Sequence, residues 1–352
     1  MVVSDTQLHY MGKDMTRGLF DLDAIKYTCS AVGQKTSIKA INKHSGDEYL
    51  FDTRTDFWGR SKKQVGGWLA TYNLEKDTNL FFDDFTIEDI IVPEPLENVL
   101  HSVKLTIDRS IHTSGVKSWD GFMGEGDSFR VELSTLKRYK DGRATEKPYH
   151  FESVVDYIKK KYKPEIVTGI ETDDKLIMLA DKQRDVVLLV NDKDYKGYDV
   201  NIFDINKPEE GVINCSGLGK LWLRERVDSK GKTQTDVRGY GRLFKYFQII
   251  SQDDVDNYKA NCFSDTSWGE KSAYKVLVDC KTDKEAWQVM WDTFKYLYPE
   301  PKGVVGWRGV RINIDAMYVF QEMVNMAHLH RWKDDFINVK DVLTKLSIPY
   351  EC

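Results

Sequence analysis

Val186-Val187-Leu188-Leu189-Val190 is apolar at every position, and this run constrains the fold more than any other stretch of the chain. A strand with one wet face alternates apolar and polar residues, whereas a strand with no polar residue is covered on both faces. It follows a helix-like segment, Asp173–Arg184, and a strand-like run, Ile166-Val167-Thr168-Gly169-Ile170. Strand, helix, fully apolar strand points to a parallel sheet flanked by helices. Gly18-Leu19-Phe20 adds a short buried strand that ends at Asp21-Leu22-Asp23. Thr36–Asn42 and Glu48–Asp52 flank a glycine turn, His44-Ser45-Gly46-Asp47, as a hairpin. Val99, Val103, Ile107 and Ile111 recur four apart, which predicts a helix over Asn98–His112 that stops at Gly115. Val154, Val155, Ile158 and Tyr162 predict another, ended by Pro164.

Short β pieces are expected over Tyr195–Gly239, with an exposed loop at 228–236. Beyond Gly241 the pattern turns helical, over Leu243–Ile250, Asp254–Ala260, Gly269–Val278, Glu285–Leu297, Ile314–His330 and Val339–Leu346. The expected organisation is a polar tail at 1–15, an α/β core at 16–240 and a helical region at 241–352. With 352 residues, 41% of them hydrophobic, the chain buries a sizeable core. Its 51 basic and 56 acidic residues leave a net charge of −5, so no global basic field announces a polyanion. Five scattered cysteines, Cys29, Cys215, Cys262, Cys280 and Cys352, fit neither a disulfide framework nor a structural zinc site. No stretch approaches the ~20 apolar residues of a membrane span, and the first residues lack a signal-peptide core. A soluble, cytoplasmic, monomeric protein without a membrane partner is expected.

The acids carry the functional signal by their placement. Asp21 and Asp23 follow one strand, Glu171, Asp173 and Asp174 a second, and Asp192 and Asp194 a third. Carboxyl ends of parallel strands share one edge, where ligands bind, so three strands deliver seven acids to one rim. So much negative charge is unfavourable without cations, and hard divalent metals take oxygen ligands. A fourth group, Asp253, Asp254 and Asp256, opens the helix expected at 254–260. Helix capping alone would account for Asp173 and Asp174; it does not account for three clusters that each follow an apolar strand. Asp21-Leu22-Asp23 also fits the D-x-D of haloacid-dehalogenase phosphatases, but such a site has little use for the other two groups. A two-metal nuclease, whose ions lie roughly 3.5–4 Å apart, needs many carboxylates.

Residues 130–163 hold ten cations against five acids, a local excess able to neutralise phosphates. Lys159–Lys163 is read as a solvated helix face, whereas Tyr139-Lys140-Asp141-Gly142-Arg143 sets an aromatic, two cations and a glycine between two acid clusters.

These motifs resemble the 5′-nuclease (flap endonuclease, PIN-like) superfamily, and within it bacteriophage 5′→3′ exonucleases. The family's E-A-D-D is matched by Glu171-Thr172-Asp173-Asp174, its D-x-D by Asp192-Lys193-Asp194, and its G-D-x-x-D-N by Gln252-Asp253-Asp254-Val255-Asp256-Asn257. Its F-R-x-E and Y-K-x-x-R are matched by Phe129-Arg130-Val131-Glu132 and Tyr139–Arg143. The resemblance runs from Asp21 to about Ala273 and implies a PIN-like parallel sheet flanked by helices, with an arch or clamp near 125–147. A helix–three-turn–helix near 251–280 would grip duplex DNA, with Lys271 and Ser272 as phosphate contacts at a helix start. One metal set resembles Asp21, Glu171 and Asp173, the other Asp174, Asp192, Asp194 and Asp256, with Asp253 a further candidate. Lys140 and Arg143 would act on the scissile phosphate, and Arg130 and Tyr139 would contact nucleic acid. The implied activity is a two-magnesium 5′→3′ exonuclease or flap endonuclease, with Mn²⁺ able to substitute. Its substrate is a DNA duplex with a 5′ end or flap, or an RNA·DNA hybrid in the manner of an RNase H, and its setting is phage replication or host-DNA breakdown in an infected bacterium. A phosphatase using Asp21 and Asp23, or a non-catalytic DNA-binding protein, are the alternatives.

Three positions depart from the family. Where it ends its second core strand with aspartate, this chain offers only Glu125 or Asp127 nearby; Gln252 replaces a glycine; and Tyr258-Lys259-Ala260-Asn261-Cys262 replaces I-P-G-I-G. Trp307 beside Arg308 is a candidate for stacking on a base. His328 and His330, near Trp332, sit on a helical stripe that predicts core or surface histidines rather than a metal pair.

Overall fold

The computed structural model describes residues 16–60, 66–141, 146–227, 231 and 233–350. The tail at 1–15 and Arg143 therefore lie outside the described residues. The chain folds as two units, one of Met1–Ala24, Ile107–Thr145 and Tyr162–Cys352, the other of Ile25–Thr106 and Glu146–Lys161.

Strand β1 (Arg17–Asp21) passes directly into α1 (Leu22–Val32). The smaller unit carries an antiparallel sheet of β2 (Gln34–Asn42), β3 (Glu48–Phe51) and β4 (Phe85–Pro93), ordered β3-β2-β4. Its hairpin turns through Gly46 at φ 78°, the left-handed region that glycine enters without strain. Helices α2 (Arg54–Trp58) and α3 (Trp68–Lys76) supply Phe57 and Leu69 to a core with Ile38, Ala40 and Phe85. Helix α4 (Leu96–Ser114) buries the predicted stripe of Val99, Val103 and Ile107, and Gly115 follows at φ 73°.

The larger unit contains β5 (Ser118–Ser128) and α5 (Phe129–Leu133). After α6 (Phe151–Tyr162) come β6 (Glu165–Gly169), α7 (Thr172–Ala180), β7 (Val186–Val190), β8 (Asn201–Asp204) and β9 (Val212–Asn214). One six-stranded sheet forms in the order β6-β5-β1-β7-β8-β9, parallel except for β9. Every residue of β7 is buried, as its composition demands. From β1 the chain builds outward through β5 and β6, then resumes on the other flank with β7 and β8. The order reverses beside β1, and the carboxyl end of such a crossing is where α/β sheets bind ligands.

Next come the hairpin β10 (Lys220–Val227) and β11 (Thr233–Tyr240), then α8 (Arg242–Ile250), β12 (Gln252–Asp253) and β13 (Tyr258–Lys259). The chain closes with α9 (Glu270–Leu277), α10 (Asp283–Leu297), the hairpin β14 (Lys302–Val305) and β15 (Arg311–Ile314), α11 (Ala316–Met326) and α12 (Val339–Lys345). These helices share a core around Trp291, Phe294 and Phe320, with the two phenylalanine rings stacked at 4.7 Å. Among the described residues no helix is long and apolar enough to cross a membrane.

Three expectations need correction. No helix covers Asp254–Ala260: the Asp253 carboxylate accepts from the amides of Val255 (2.9 Å) and Asp256 (3.1 Å), and Asn257 turns left-handed at φ 57°, closing the β12–β13 hairpin. Residues 233–236 belong to β11, paired with Glu225–Val227 and Arg224, rather than to a loop. The helix expected over Ile314–His330 is confined to Ala316–Met326, because Ile314 pairs with Lys302 in a hairpin that alternation over so few residues did not announce.

Of the two expected placements, core or surface, His328 and His330 take the core. The His328 ring bonds Asp335 at 2.9 Å on one side and meets Lys245 and Tyr198 on the other. Burial, then the nearby Arg331 guanidinium, push the Lys245 ammonium down to about 7, and burial and Lys245 push His328 down to about 3. Between pH 7 and 10.5 the unfolded chain therefore binds the Lys245 proton more tightly than the folded one. Stability should rise with pH across that window, by up to about 1.4 kcal/mol per unit for one proton. Lys245→Met should flatten the dependence in urea titrations at several pH values; equal slopes in both proteins would refute the assignment.

Candidate metal centre

The site is built on two strand ends and one helix start. Asp21 is the last residue of β1, Asp192 and Asp194 follow β7, and Glu171 precedes α7 as its N-cap. Helix α7 packs across β5, β1 and β7, which brings its first turn, rich in Asp173 and Asp174, from the far strand β6 to the β1 end. A stitch of hydrogen bonds fixes it there. The Asp23 carboxylate accepts from the Gly124 amide at 3.0 and 3.1 Å and from the Thr172 hydroxyl at 2.6 Å.

At Gly124 the second core strand contributes a backbone amide; a Cβ there would lie 2.9 Å from Asp23 Oδ2 and 3.0 Å from Thr172 Oγ1, so both side chains would have to shift. Glu125 and Asp127 are both exposed, within the irregularity of the β5–β6 pairing between Gly124 and Ser128.

Two buried phenols mark how the acids group. Tyr195 donates to Asp21 Oδ2 at 3.1 Å; burial, then the charges of Asp21, Asp173 and Asp192, hold its phenol far above the ordinary value. Tyr258 is held up in the same way by burial, then Asp194, Asp253 and Asp256. Tyr139 joins the groups, donating to Glu171 at 2.7 Å and to Asp256 at 3.1 Å. The charges of Asp21, Asp173 and Asp192 thus act on the Tyr195 phenol and those of Asp194, Asp253 and Asp256 on Tyr258, while Glu171 accepts from Tyr139.

Protein cations compensate the charge in these groups only in part. Burial, then repulsion from Asp23, raises the Asp21 carboxyl to about 7. Burial, then Glu171 and Asp174, push Asp173 well up, and burial, then Asp192, does the same to Asp194. One oxygen each of Glu171, Asp173 and Asp174 lie within 4.8 Å of one another, a separation that suits a shared cation. The donor set is all carboxylate oxygen, which fits a hard divalent ion.

Glu171 and Asp174 differ from the rest because protein cations already serve them. Burial, the largest influence, opposes their ionisation, but Arg130 together with Lys140 and Tyr139 at Glu171, and with the His330 and Glu171 amides at Asp174, outweighs it and holds both below the ordinary range. Asp174 is fully buried and takes two bonds from Arg130, at 2.6 and 2.8 Å, and a third from the His330 amide at 2.8 Å. It anchors α7 and Arg130 and is less open to a metal than the motif suggests.

Two of the residues expected at nucleic acid are placed otherwise. Arg130 is 1% exposed, and its five N–H groups reach Glu171, Asp174 twice, and the carbonyls of Met326 and His328, so none is left for a phosphate. The Tyr139 ring is buried, and its hydroxyl serves the acids. Lys140 is held at the centre: its backbone is left-handed at φ 57°, its amide donates to the Asp256 carbonyl at 3.0 Å, and its ammonium pairs with Glu171. Lys271 is exposed and Ser272 half-buried on the first turn of α9. Trp307 donates to the Ser134 carbonyl at 2.8 Å, where Arg308 also binds, closing the end of α5.

Sequence reasoning missed Tyr195, Thr172, Lys193 and Gln248. Lys193 pairs with Asp253 at 3.1 Å, and Gln248 donates to Asp194. Tyr195 and Thr172 were detectable in principle, since one adjoins D-x-D and the other puts a hydroxyl inside E-T-D-D.

No protein-family model matches the chain. No curated protein matches it either. Among solved structures it is similar to the T5 D15 protein co-crystallized with metal ions, at 14% identity and a TM-score of 0.34, over 66% of this chain and 80% of that one.

Proposed function

We propose that this chain is a divalent-metal-dependent nuclease that hydrolyses DNA phosphodiesters near a 5′ end. One observation carries the reading. The reversal of strand order beside β1 collects Asp21, Asp173, Asp192 and Asp194 with little internal compensation, next to a lysine that is partly exposed. Carboxylates gathered in this way favour two magnesium ions, with manganese as a substitute. Bound there, such ions would polarise the phosphodiester and lower the pKa of an attacking water.

The chain's own residues set the frame. Arg130 and the capping contacts of α7 hold Glu171 and Asp174 rigid. Tyr195 and Tyr139 orient Asp21 and Glu171 through their hydroxyls. Lys140 is the candidate for neutralising charge that develops on the phosphate, since its pairing with Glu171 holds the ammonium at the rim. The 5′ polarity, the arch and the duplex grip by Lys271 and Ser272 rest on the motif resemblance, and so does a setting in phage replication.

The phosphatase alternative is weaker. Its acid/base would be Asp23, whose two oxygens are engaged by Gly124 and Thr172. The test is a forked duplex labelled at its 5′ end, incubated with magnesium and, in parallel, with EDTA. Magnesium-dependent release of short labelled fragments is expected. No cleavage of either this substrate or an RNA·DNA hybrid would refute the nuclease reading, and turnover of a small phosphate ester would replace it.

A further inference from the structure

The hairpin β10–β11 has two unlike faces. Residues alternate across a strand, and the pairing sets Lys220 opposite Tyr240, Trp222 opposite Arg238, Arg224 opposite Asp236 and Arg226 opposite Gln234. One face therefore carries four cations, two aromatics and a single carboxylate. The other holds Leu221, Val237 and Gly239, which pack into the helical core; a Cβ on Gly239 would collide with Leu221 and Phe244.

The cationic face is over-supplied with positive charge. Arg224, Arg226 and Arg238 all converge on one oxygen of Asp236, at 3.6, 3.2 and 3.3 Å. The buried Nε groups of Arg224 and Arg238 have no hydrogen-bond partner among the described residues. Lys220 lies over the Trp222 ring, whose edge meets Tyr240 at 6.2 Å. Three guanidinium groups around one carboxylate repel one another unless further negative charge joins them. The face also borders the acid centre: Asp236 and Arg238 line a cavity of about 230 Å³ together with Lys193 and Asp253.

We infer that this face binds the sugar–phosphate backbone of a DNA duplex and positions it beside the acidic centre; the choice of DNA as the polyanion rests on the nuclease reading. Alternate residues of a strand are about 6.8 Å apart, the rise of two base pairs in B-DNA. Arg224 and Arg226 so placed can follow one strand while Arg238 reaches in from β11. The face supplies positive charge that the chain as a whole, at −5, does not.

The test separates binding from cleavage. Anisotropy of a labelled duplex is recorded in EDTA at salt concentrations from about 50 to about 200 mM, the range over which phosphate neutralisation shows. Replacing Arg224 and Arg226 together by glutamine should weaken binding at least about tenfold at the lower salt. It should also shrink the slope of log K against log salt by about 0.9 for each phosphate no longer neutralised. Asp236→Asn, which removes the competing carboxylate, should tighten binding, so the inference stays testable even if the arginine pair is needed for folding. Wild-type affinity and slope in the folded double variant would overturn the inference and leave the nuclease reading intact. A wild-type protein that neither binds nor cuts DNA would overturn both.

Discussion

Arg130→Met is expected to destabilise the larger unit by about 3–5 kcal/mol, the cost of leaving a buried charge without its partner. The variant strands Asp174, which is fully buried and would keep only the backbone amides of Glu171 and His330. It also frees the carbonyls of Met326 and His328, so the end of α11 loses its tie to α5 and α7. Urea unfolding at pH 7 measures the loss. Arg130→Met combined with Asp174→Leu should recover a good part of it, because an apolar pair of similar volume removes both charges at once. A single variant as stable as the wild type would mean that Arg130 is not the anchor described.

Asp173→Asn combined with Asp192→Asn is expected to lower cleavage of the forked duplex by at least about three orders of magnitude. That corresponds to roughly 4 kcal/mol of transition-state stabilisation, within what bound metals supply. Stability should move the other way. Asp173 is pushed well above the usual carboxylate range by burial and by Glu171 and Asp174, so a neutral amide relieves repulsion that the native chain tolerates. Unfolding in EDTA should therefore need as much urea as the wild type, or more. Duplex binding in EDTA should persist, since these acids repel phosphate when no metal is present. Cleavage retained at more than a tenth of the native rate would remove these carboxylates from the mechanism. Binding that disappears together with cleavage would show that they serve the fold or the DNA surface instead.

The acids could be located from sequence because each lies directly after a strand that composition alone reveals. β7 was bounded to the residue by its uninterrupted apolar run, and β1 to within one residue at each end, since Arg17 and Asp21 extend the expected Gly18–Phe20. What the acids bond to was harder to foresee. Arg130 sits in a motif that suggested a phosphate, yet its direction is set by carbonyls 196 and 198 residues further along the chain. Local spacing carries no information on a contact of that range. Trp307 and Arg308 are a similar case: an aromatic next to a cation suggested a base, and the fold uses both to close a short helix. The helix expected at Asp254–Ala260 failed for a local reason, the competition of an aspartate side chain for the amides that would start it. The partition into units was invisible because α1 and α4 each run from one unit into the other without a break in periodicity.

The position of β1 at the centre of the sheet has a kinetic consequence. Its partner on one side, β5, is reached only after the whole antiparallel sheet has been made: Arg17 and Asp120, joined at 2.7 Å, are 103 residues apart. Closing a flexible loop of that length costs about 4 kcal/mol in chain entropy, before any contact in the sheet repays it. Local hairpins such as β2–β3 carry no such handicap and close in microseconds. The acidic rim, whose Asp21 needs β5 and β7 on either side, is therefore among the last parts of the molecule to form. During synthesis its first strand waits with Leu19 and Phe20 unpaired, exposed to chaperones and to neighbouring chains.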